Sequence, residues 1–505
     1  MTTKTASSLS NQETHFRLAS APEYAQASFA GIVSLALAAV FFISGIDWAA
    51  GAPKPVWTTI SLVFLLFGLL QLAVMRLIRR DLLAEGTIRL STRRLGWGLM
   101  LSVLTGNLFV AIAAYQLVKR RKSPAYILAG YTLLTTLFVF AVSTLNMFKP
   151  YVADTFLLGM GLLIVAAVLQ LIALLVIARH DDDSRLPSWM WGIAALLLAT
   201  AATGNLFALF LALLLMSRLR DKGYTSGSKL SDIVAKLSRS STSMLGLFFV
   251  GFLASLAVCS YLTFDYGMAI ENNYSNILHV PSLVYPMGTD NFGRDLFSRI
   301  VFGARISLTV GILSTLIPFI VGGILGAISG YYGRTTDNLI MRALDILYAI
   351  PGILLAIAII AAFGASTGNL ILALSVGAIP TYARTMRANV MMVSTLEYVQ
   401  AARAFGSSDA AILFKHIVPN SMAPMIVKAT LTIGTAVIST SSLSFLGLGV
   451  EPHIPEWGNI LKVGSAYLET HSFTAIYPGL AIILLVLSFN FLGDGLRDAL
   501  DPKLD

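Results

Sequence analysis

Charge is scarce in this sequence. Asp, Glu, Lys and Arg make up 12% of its 505 residues, while 56% of them are hydrophobic. An ordinary soluble domain carries about twice that charged share, so a water-exposed globule is excluded. Cysteine is scarcer still. Cys259 stands alone in an apolar run, which excludes an intrachain disulfide and any cysteine cluster. The six histidines are His15, His180, His279, His416, His453 and His471; none forms a His-x-x-x-His pair or adjoins the cysteine. No zinc-type ligand set is therefore assigned. A phosphate loop is missing too. Gly223 to Leu230 resembles one loosely but lacks the spacing and the Lys-Ser/Thr ending of a Walker sequence. Met1 to Ala27 is polar, without the apolar core and cleavage site of a signal peptide. No catalytic constellation is found.

What is present is apolar sequence, with a mean hydropathy of +0.78. Run after run approaches the ~20 residues that cross a bilayer. The pattern predicts an all-α polytopic membrane protein, since barrel strands are shorter and alternate in polarity. The net charge of +9 reads as the positive-inside bias of cytosolic loops rather than as a nucleic-acid surface.

A cytosolic tail, 1–27, precedes six apolar segments near Ser28–Gly45, Val56–Leu77, Leu95–Leu117, Tyr126–Leu145, Val152–Ile177 and Trp189–Met216. They read as a tandem repeat of three segments each, within a membrane domain 28–216. Leu104-Thr105-Gly106-Asn107-Leu108-Phe109 recurs as Ala202-Thr203-Gly204-Asn205-Leu206-Phe207, Lys54-Pro55 as Lys149-Pro150, and Gln71-Leu72 as Gln170-Leu171. The third segment lies between two basic clusters. Arg76, Arg79, Arg80, Arg89, Arg93 and Arg94 precede it, and Lys119, Arg120, Arg121 and Lys122 follow. If it spans, one cluster faces outside, against the positive-inside rule. If segments three and six are re-entrant or lie along the cytosolic face, both clusters stay inside, and the loops around Lys54 and Lys149 lie outside. Gly and Asn at mid-segment weaken a straight span. The sequence leaves both arrangements open.

Ser217–Ser243 is a basic, Ser-rich connection with Arg218, Arg220, Lys222, Lys229, Lys236 and Arg239, a cytosolic linker. Further spans are expected at Met244–Leu262, Ile306–Ile328, Leu347–Phe363, Leu370–Tyr382, Met422–Phe445 and Ile476–Phe491, with Pro351 and Pro380 kinking or breaking helices. From a cytosolic start, Thr263–Arg305 and Gly447–Ser472 fall outside. The basic loop Arg384–Asn420 and both termini fall inside. In that loop Glu397 to Asn420 reads as two short helices. Ser394 stands at capping-box spacing from Glu397. Gly406 ends the first helix in the left-handed region, Ser407 or Ser408 caps the second, and Pro419 stops it. Such a hairpin is shaped to dock into a partner's groove; an ordinary amphipathic loop is the alternative.

Several ordered motifs now carry a resemblance. Met287-Gly288-Thr289-Asp290-Asn291-Phe292-Gly293-Arg294-Asp295 continues through Leu296-Phe297-Ser298-Arg299 and Gly303-Ala304-Arg305-Ile306-Ser307-Leu308. Gly330-Tyr331-Tyr332-Gly333 follows, with Asp337, Met341-Arg342, Asp345 and Ile350-Pro351. Then come Ser444-Phe445-Leu446-Gly447-Leu448-Gly449, Pro455-Glu456-Trp457-Gly458 and Asn490-Phe491-Leu492-Gly493-Asp494-Gly495-Leu496-Arg497-Asp498. In this order they resemble the C-type permease subunit of a dipeptide/oligopeptide/nickel-class ABC importer, over about Ser243 to Asp505. The resemblance implies a type I importer fold, with a permease domain 244–505 and a core 304–494. The first 240 residues have no counterpart in that pattern.

The same resemblance implies that Glu397–Asn420 is the loop that touches the ATPases. Ala401, Ala402 and Gly406 fit the family pattern, while Gln400 stands where Glu is usual. Glu397, Arg403, Asp409, His416, Pro419 and Asn420 complete the candidate surface, His416 with a packing or hydrogen-bonding role. Gly288, Thr289, Asp290, Gly293, Arg294, Asp295, Arg299 and Arg305 are candidates to brace the outer mouth or touch a binding protein. Arg342 and Asp345 are read as a helix-face ion pair or a gate. The implied partners are a second, B-type permease, two ATPase subunits that bind ATP and Mg, an extracytoplasmic substrate-binding protein and membrane lipid. The chain itself is expected to be no enzyme and to bind no cofactor. The expected location is the bacterial inner membrane. Di- or oligopeptides are the expected cargo, with nickel or a metal chelate as the alternative. A stand-alone channel or carrier is a reading of another class, which the absence of paired charges in the repeats disfavours. The N-terminal half as a scaffold or interaction module is a third.

Overall fold

The computed structural model describes residues 18, 21–47, 52–53, 55–118, 123–180, 186–220, 229–451 and 453–501. Lys54, the basic cluster 119–122, Lys222 and most of the rejected phosphate loop lie outside them. Nearly all described elements are helices. Eight are long and apolar enough to cross a membrane, or nine if one bent pair counts as a span. The chain forms two compact units, Met1–Gly130 with Ser238–Ser241 and Tyr131–Leu237 with Thr242–Asp505.

In the first unit α1 (Pro22–Ser44) and α2 (Pro55–Glu85) pack as a pair, joined through two short antiparallel strands, β1 (Ile46–Asp47) and β2 (Ala52–Pro53). Buried hydroxyls stitch the pair: Ser34 donates to the Phe64 carbonyl and Ser61 to that of Ala38, each at 2.8 Å. The third apolar segment does not continue as one rod. It splits into α3 (Leu90–Leu99), a 3-10 turn over Met100–Thr105, and α4 (Leu108–Val118). The arms lie against each other. A Cβ at Gly96 would lie 2.8 Å from the Ala114 carbonyl oxygen, and Arg93 donates to the Leu117 carbonyl at 3.1 Å. At 1.5 Å per residue, arms of 10 and 11 residues fall short of a ~30 Å hydrocarbon core. Both ends of the hairpin therefore return to the same side, as the re-entrant arrangement requires.

The next helix, α5 (Pro124–Thr144), passes from the first unit into the second. There α6 (Phe156–Arg179) follows, and then a second hairpin of α7 (Met190–Thr200) and α8 (Leu206–Arg220), whose arms pack together. The amphipathic α9 (Lys229–Arg239) leads into α10 (Ser241–Thr263), the first helix of the permease-like half.

Most of the remaining spans overrun the expected segments, while Met422–Phe445 keeps its expected bounds. Leu296–Tyr332 is one 37-residue helix, α11, with Pro318 inside it. The expected span Leu347–Phe363 is instead two helices, α12 (Arg334–Tyr348) and α13 (Gly352–Phe363), bent by 80° at the break that holds Pro351. The helix α14 (Thr367–Val393) runs through Pro380 without a break, so of the two prolines Pro351 is the one at a break. It is less apolar than the eight spanning candidates. It lies along α11 on a stripe of Gly322, Gly326 and Gly330. A Cβ at Gly326 would fall 2.2 Å from the Ala383 carbonyl oxygen, so only hydrogen fits at this contact. The helix α15 (Glu397–Ala404) opens the polar hairpin. Then α16 (Met422–Phe445), α17 (Trp457–Ser465) and α18 (Phe473–Leu500) complete the core. Gly495 of α18 packs on Ser243 of α10, closing the end of this half onto its beginning.

Candidate functional site

The hairpin Glu397–Asn420 is anchored from beneath. Val399, Ile412, Leu413 and Ile417 are buried with Met386, Val390 and Val393 of α14 and Met425 of α16. Gly406 has φ of 76°. Its N–H donates to the Arg403 carbonyl and the Ser407 N–H to that of Ala402, at 3.0 and 3.1 Å, a Schellman end to α15. Ser408 caps the next turn, Asp409–Ala411. The Tyr331 hydroxyl donates to the Asp409 carboxylate at 2.6 Å and ties the hairpin to the end of α11.

Three local expectations change. Ser394 forms no capping box. It belongs to the end of α14, where its hydroxyl donates back to the Val390 carbonyl at 2.7 Å, and α15 is flanked by Leu396 without a side-chain cap. Pro419 does not stop the second helix. A π-helical stretch over Ile412–Ile417 precedes it, and Pro419 lies in the first turn of Val418–Asn420. Its missing N–H is no loss there, and the chain breaks at Ser421 instead. His416 contributes its backbone carbonyl, which accepts from Asn420 at 2.7 Å and Tyr398 at 3.3 Å. Gln400 reaches the Thr395 carbonyl at 3.4 Å and stays on the exposed face with Glu397 and Ala401. The residue that sequence reasoning missed is Phe405, 89% exposed at the tip. With Tyr398 and Phe414 it gives the hairpin an exposed apolar crest. An aromatic immediately before a helix-ending glycine was the available signal.

Above the hairpin, two acids of α12 bind arginines of α14. Asp337 accepts from Arg387 at 2.6 Å and from Ser329 at 2.5 Å. Asp345 pairs with Arg384 at 2.6 Å, and that guanidinium lies 4.0 Å from the Tyr348 ring. The expected Arg342–Asp345 pair is thus replaced by a contact between helices. Arg342 enters no ion pair among the described residues. Both members of the Arg384 pair are well exposed, so it contributes under about 1 kcal/mol.

The Gly288–Arg305 motif turns its charges inward. Asp290, Arg294, Asp295 and Arg299 are all at most 5% exposed. Asp290 accepts from the backbone N–H groups of Phe292 and Arg294 at 2.9 and 3.0 Å and from Arg294 Nε at 2.8 Å. Arg299 lies 3.5 Å from the same carboxylate and donates to the Ala269 carbonyl at 2.7 Å. Thr289 accepts the His279 N–H at 2.7 Å. Gly288 and Gly293 have φ of 78° and 77°, and a Cβ at Gly293 would lie 1.7 Å from the Asn273 carbonyl oxygen. Arg305 donates to the Ala257 carbonyl and stacks on Tyr261 and Phe302. Asp295 caps α11 through the N–H groups of Phe297 and Ser298.

Nearby, Glu456 is fully buried and caps α17, accepting the Asn459 N–H at 3.0 Å. Burial pushes its carboxyl above the usual carboxylate range, against the lowering effect of the bonds it accepts. The adjoining Trp457 donates to the Ile300 carbonyl at 2.9 Å. Among the described residues no group of His, Cys, Asp and Glu could hold a metal ion.

The chain's second half has clear relatives. Residues 322–505 match the family described as the binding-protein-dependent transport system inner membrane component. The chain is 43% identical over 281 residues to the dipeptide transport system permease protein DppC of Alkalihalophilus pseudofirmus, covering 56% of this chain and 92% of that protein. It is 44% identical over 256 residues to the glutathione transport system permease protein GsiD of Pectobacterium atrosepticum, covering 51% and 85%. The Escherichia coli GsiD is 42% identical over 269 residues, covering 53% and 89%. A solved structure of the MetNI methionine ABC transporter in an inward-facing conformation aligns with 40% of this chain and 97% of its own, at 21% identity and a TM-score of 0.34; a likeness that weak adds nothing to the sequence relationship. With the ordered motifs, the helical architecture and relatives covered almost end to end, the chain belongs to the family of binding-protein-dependent transport permeases, the inner-membrane components of ABC importers.

Proposed function

We propose that this chain is the C-type permease of an ATP-driven importer of small peptides. It forms the translocation pathway with a second, B-type permease. Two ATPase subunits bind ATP and Mg beneath, and an extracytoplasmic binding protein delivers the substrate. Both termini are cytosolic in a bacterial inner membrane. The relatives named for dipeptide and for glutathione transport support a peptide cargo.

The observation that carries the coupling role is the hairpin itself: four apolar anchors below, an aromatic crest above. A few well-packed anchors seated in a partner's pockets carry most of an interface's affinity. On this reading nucleotide binding draws the ATPases together and moves Glu397–Asn420 as a lever. The motion passes through Tyr331 and the Asp337–Arg387 contact to α11 and α14, shifting a two-state equilibrium between inward and outward access. Phe405→Glu tests it. Because the side chain is exposed, the folded yield and melting temperature stay unchanged, while ATPase co-purification and peptide uptake fall at least tenfold. Full uptake with intact assembly would sink the lever.

The first six segments are proposed as two copies of one three-segment unit, 28–216, joined by the linker 217–243 to the permease domain. The shared geometry of the two Gly-Asn elbows supports this: Gly106 and Gly204 are left-handed, and Asn107 and Asn205 each cap a helix.

A further inference from the structure

The relatives leave more than two fifths of this chain unmatched, although up to 92% of their own length is covered. Part of the extra sequence grips the permease half at one defined place. Ser143, Asn146 and Lys149 follow one another at intervals of three, at the end of α5 and just beyond it. The Asn146 amide donates to the Thr263 carbonyl at 2.8 Å, and Ser143 donates to the Thr263 hydroxyl at 3.2 Å. Lys149 Nζ lies 2.6 Å from the Asp295 carboxylate and donates to Ser298 Oγ at 2.7 Å. It also lies 5.5 Å from the Phe264 and Phe297 ring centres. Thr155 adds a bond to the Leu262 carbonyl at 3.0 Å.

Thr263 and Asp295 are the two ends of the long loop between α10 and α11. Both ends are therefore held by the same short stretch. The ion pair is fully desolvated, with side-chain exposures of 3% and 0%. Arg294 and Arg299 are both engaged with Asp290. Among the described residues Lys149 is thus the one cation in an ion pair with Asp295, so losing it strands a buried carboxylate. The contact also puts the Lys149 turn and the Gly288–Arg305 motif on one side of the membrane.

We propose that Ser143, Asn146 and Lys149 form a staple that fixes both ends of the Thr263–Asp295 loop, with Lys149 as its positioning residue. The extra helices thereby set the shape of the loop that, on the import reading above, faces the incoming substrate. The staple works through Asp295, whose carboxylate caps α11 while Lys149 neutralises it.

The test uses the purified full-length chain and amide hydrogen exchange, which is independent of cargo and partners. In Lys149→Met the amides of residues 263–295 exchange at least tenfold faster, while those of the 397–420 hairpin keep their wild-type rates. Should that variant fail to fold, Lys149→Met with Asp295→Asn removes both charges and keeps one capping oxygen on α11. It folds, and it shows the same local acceleration because the tether is gone. Wild-type exchange across 263–295 in whichever variant folds would overturn the proposal. So would acceleration spread equally over 397–420, which marks general destabilisation, or failure of the double variant to fold, which would mean that packing and not the charge pair is at stake.

Discussion

The two Thr-Gly-Asn-Leu-Phe elbows, one in each compact unit, share local structure and differ in surroundings. Gly106 and Gly204 have φ of 75° and 77°. A 3-10 turn precedes each, and the following Asn caps a helix: Asn107 Oδ1 accepts the Val110 N–H and Asn205 Oδ1 that of Ala208. Each Asn amide also reaches back 73 residues, Asn107 to Ser34 at 2.6 Å and Asn205 to the Thr132 carbonyl at 2.8 Å. Asn205 adds Thr136 at 3.0 Å. The surroundings are another matter. A Cβ at Gly106 would meet nothing within 4 Å, whereas at Gly204 it would lie 2.9 Å from the Ala254 carbonyl oxygen and 3.0 Å from Ser255 Cα, both on α10. Ser255 and Cys259 also donate to the Thr203 carbonyl. The same peptide is a self-contained bend in one place and a docking surface for the permease half in the other.

That difference can be broken by mutation. Gly204→Leu combines a left-handed side chain with overpacking against α10, costing about 4 kcal/mol, whereas Gly106→Leu costs about 1–2 kcal/mol for the backbone alone. Melting temperatures in detergent that fall equally would refute the distinction. Asn205→Ala removes a cap and two buried hydrogen bonds, about 2–3 kcal/mol, against about 1–2 kcal/mol for Asn107→Ala with one fewer bond. Denaturant titration of the two variants measures the gap. The smallest pair should invert the order. Ser34 both receives from Asn107 and donates to Phe64, so Ser34→Ala costs about 1–2 kcal/mol. Thr136 receives one bond from Asn205, and Thr136→Val costs about 0.5–1 kcal/mol. A larger loss for Thr136→Val would show that the second elbow depends on its polar core more than on α10.

Some features were legible because they depend on neighbours in sequence. The Gly406 helix end and the Ser408 cap belong to this class. The split of segments three and six was only half legible: Gly and Asn at mid-segment are local signals, but they left a span and a re-entrant arrangement equally open. Where an expectation changed, the cause was the extent of a neighbouring helix or a partner remote in sequence. Ser394 has capping-box spacing, but α14 extends further than its apolar core suggests and absorbs it. Asp345 has Arg342 three residues away, yet Arg384 on another helix wins because it can also stack on Tyr348. Pro419 looked like a stop because the π-helical stretch ahead of it leaves no mark in the sequence. The glycine stripe Gly322, Gly326, Gly330 does leave one, a spacing of four on an apolar helix.

Composition and periodicity alone determined that this is a multi-helix membrane chain without an intrachain disulfide, and ordered motifs identified its family. These properties are summed over many residues or set within a few neighbours. Tertiary structure alone decided that the charges of the Gly288–Arg305 motif turn inward, that the hairpin's crest is Phe405, and that Lys149 meets Asp295. Each is a question of which distant side chain fills a desolvated position. A buried lysine and a buried aspartate separated by 146 residues acquire a common meaning only when the fold brings them within 2.6 Å.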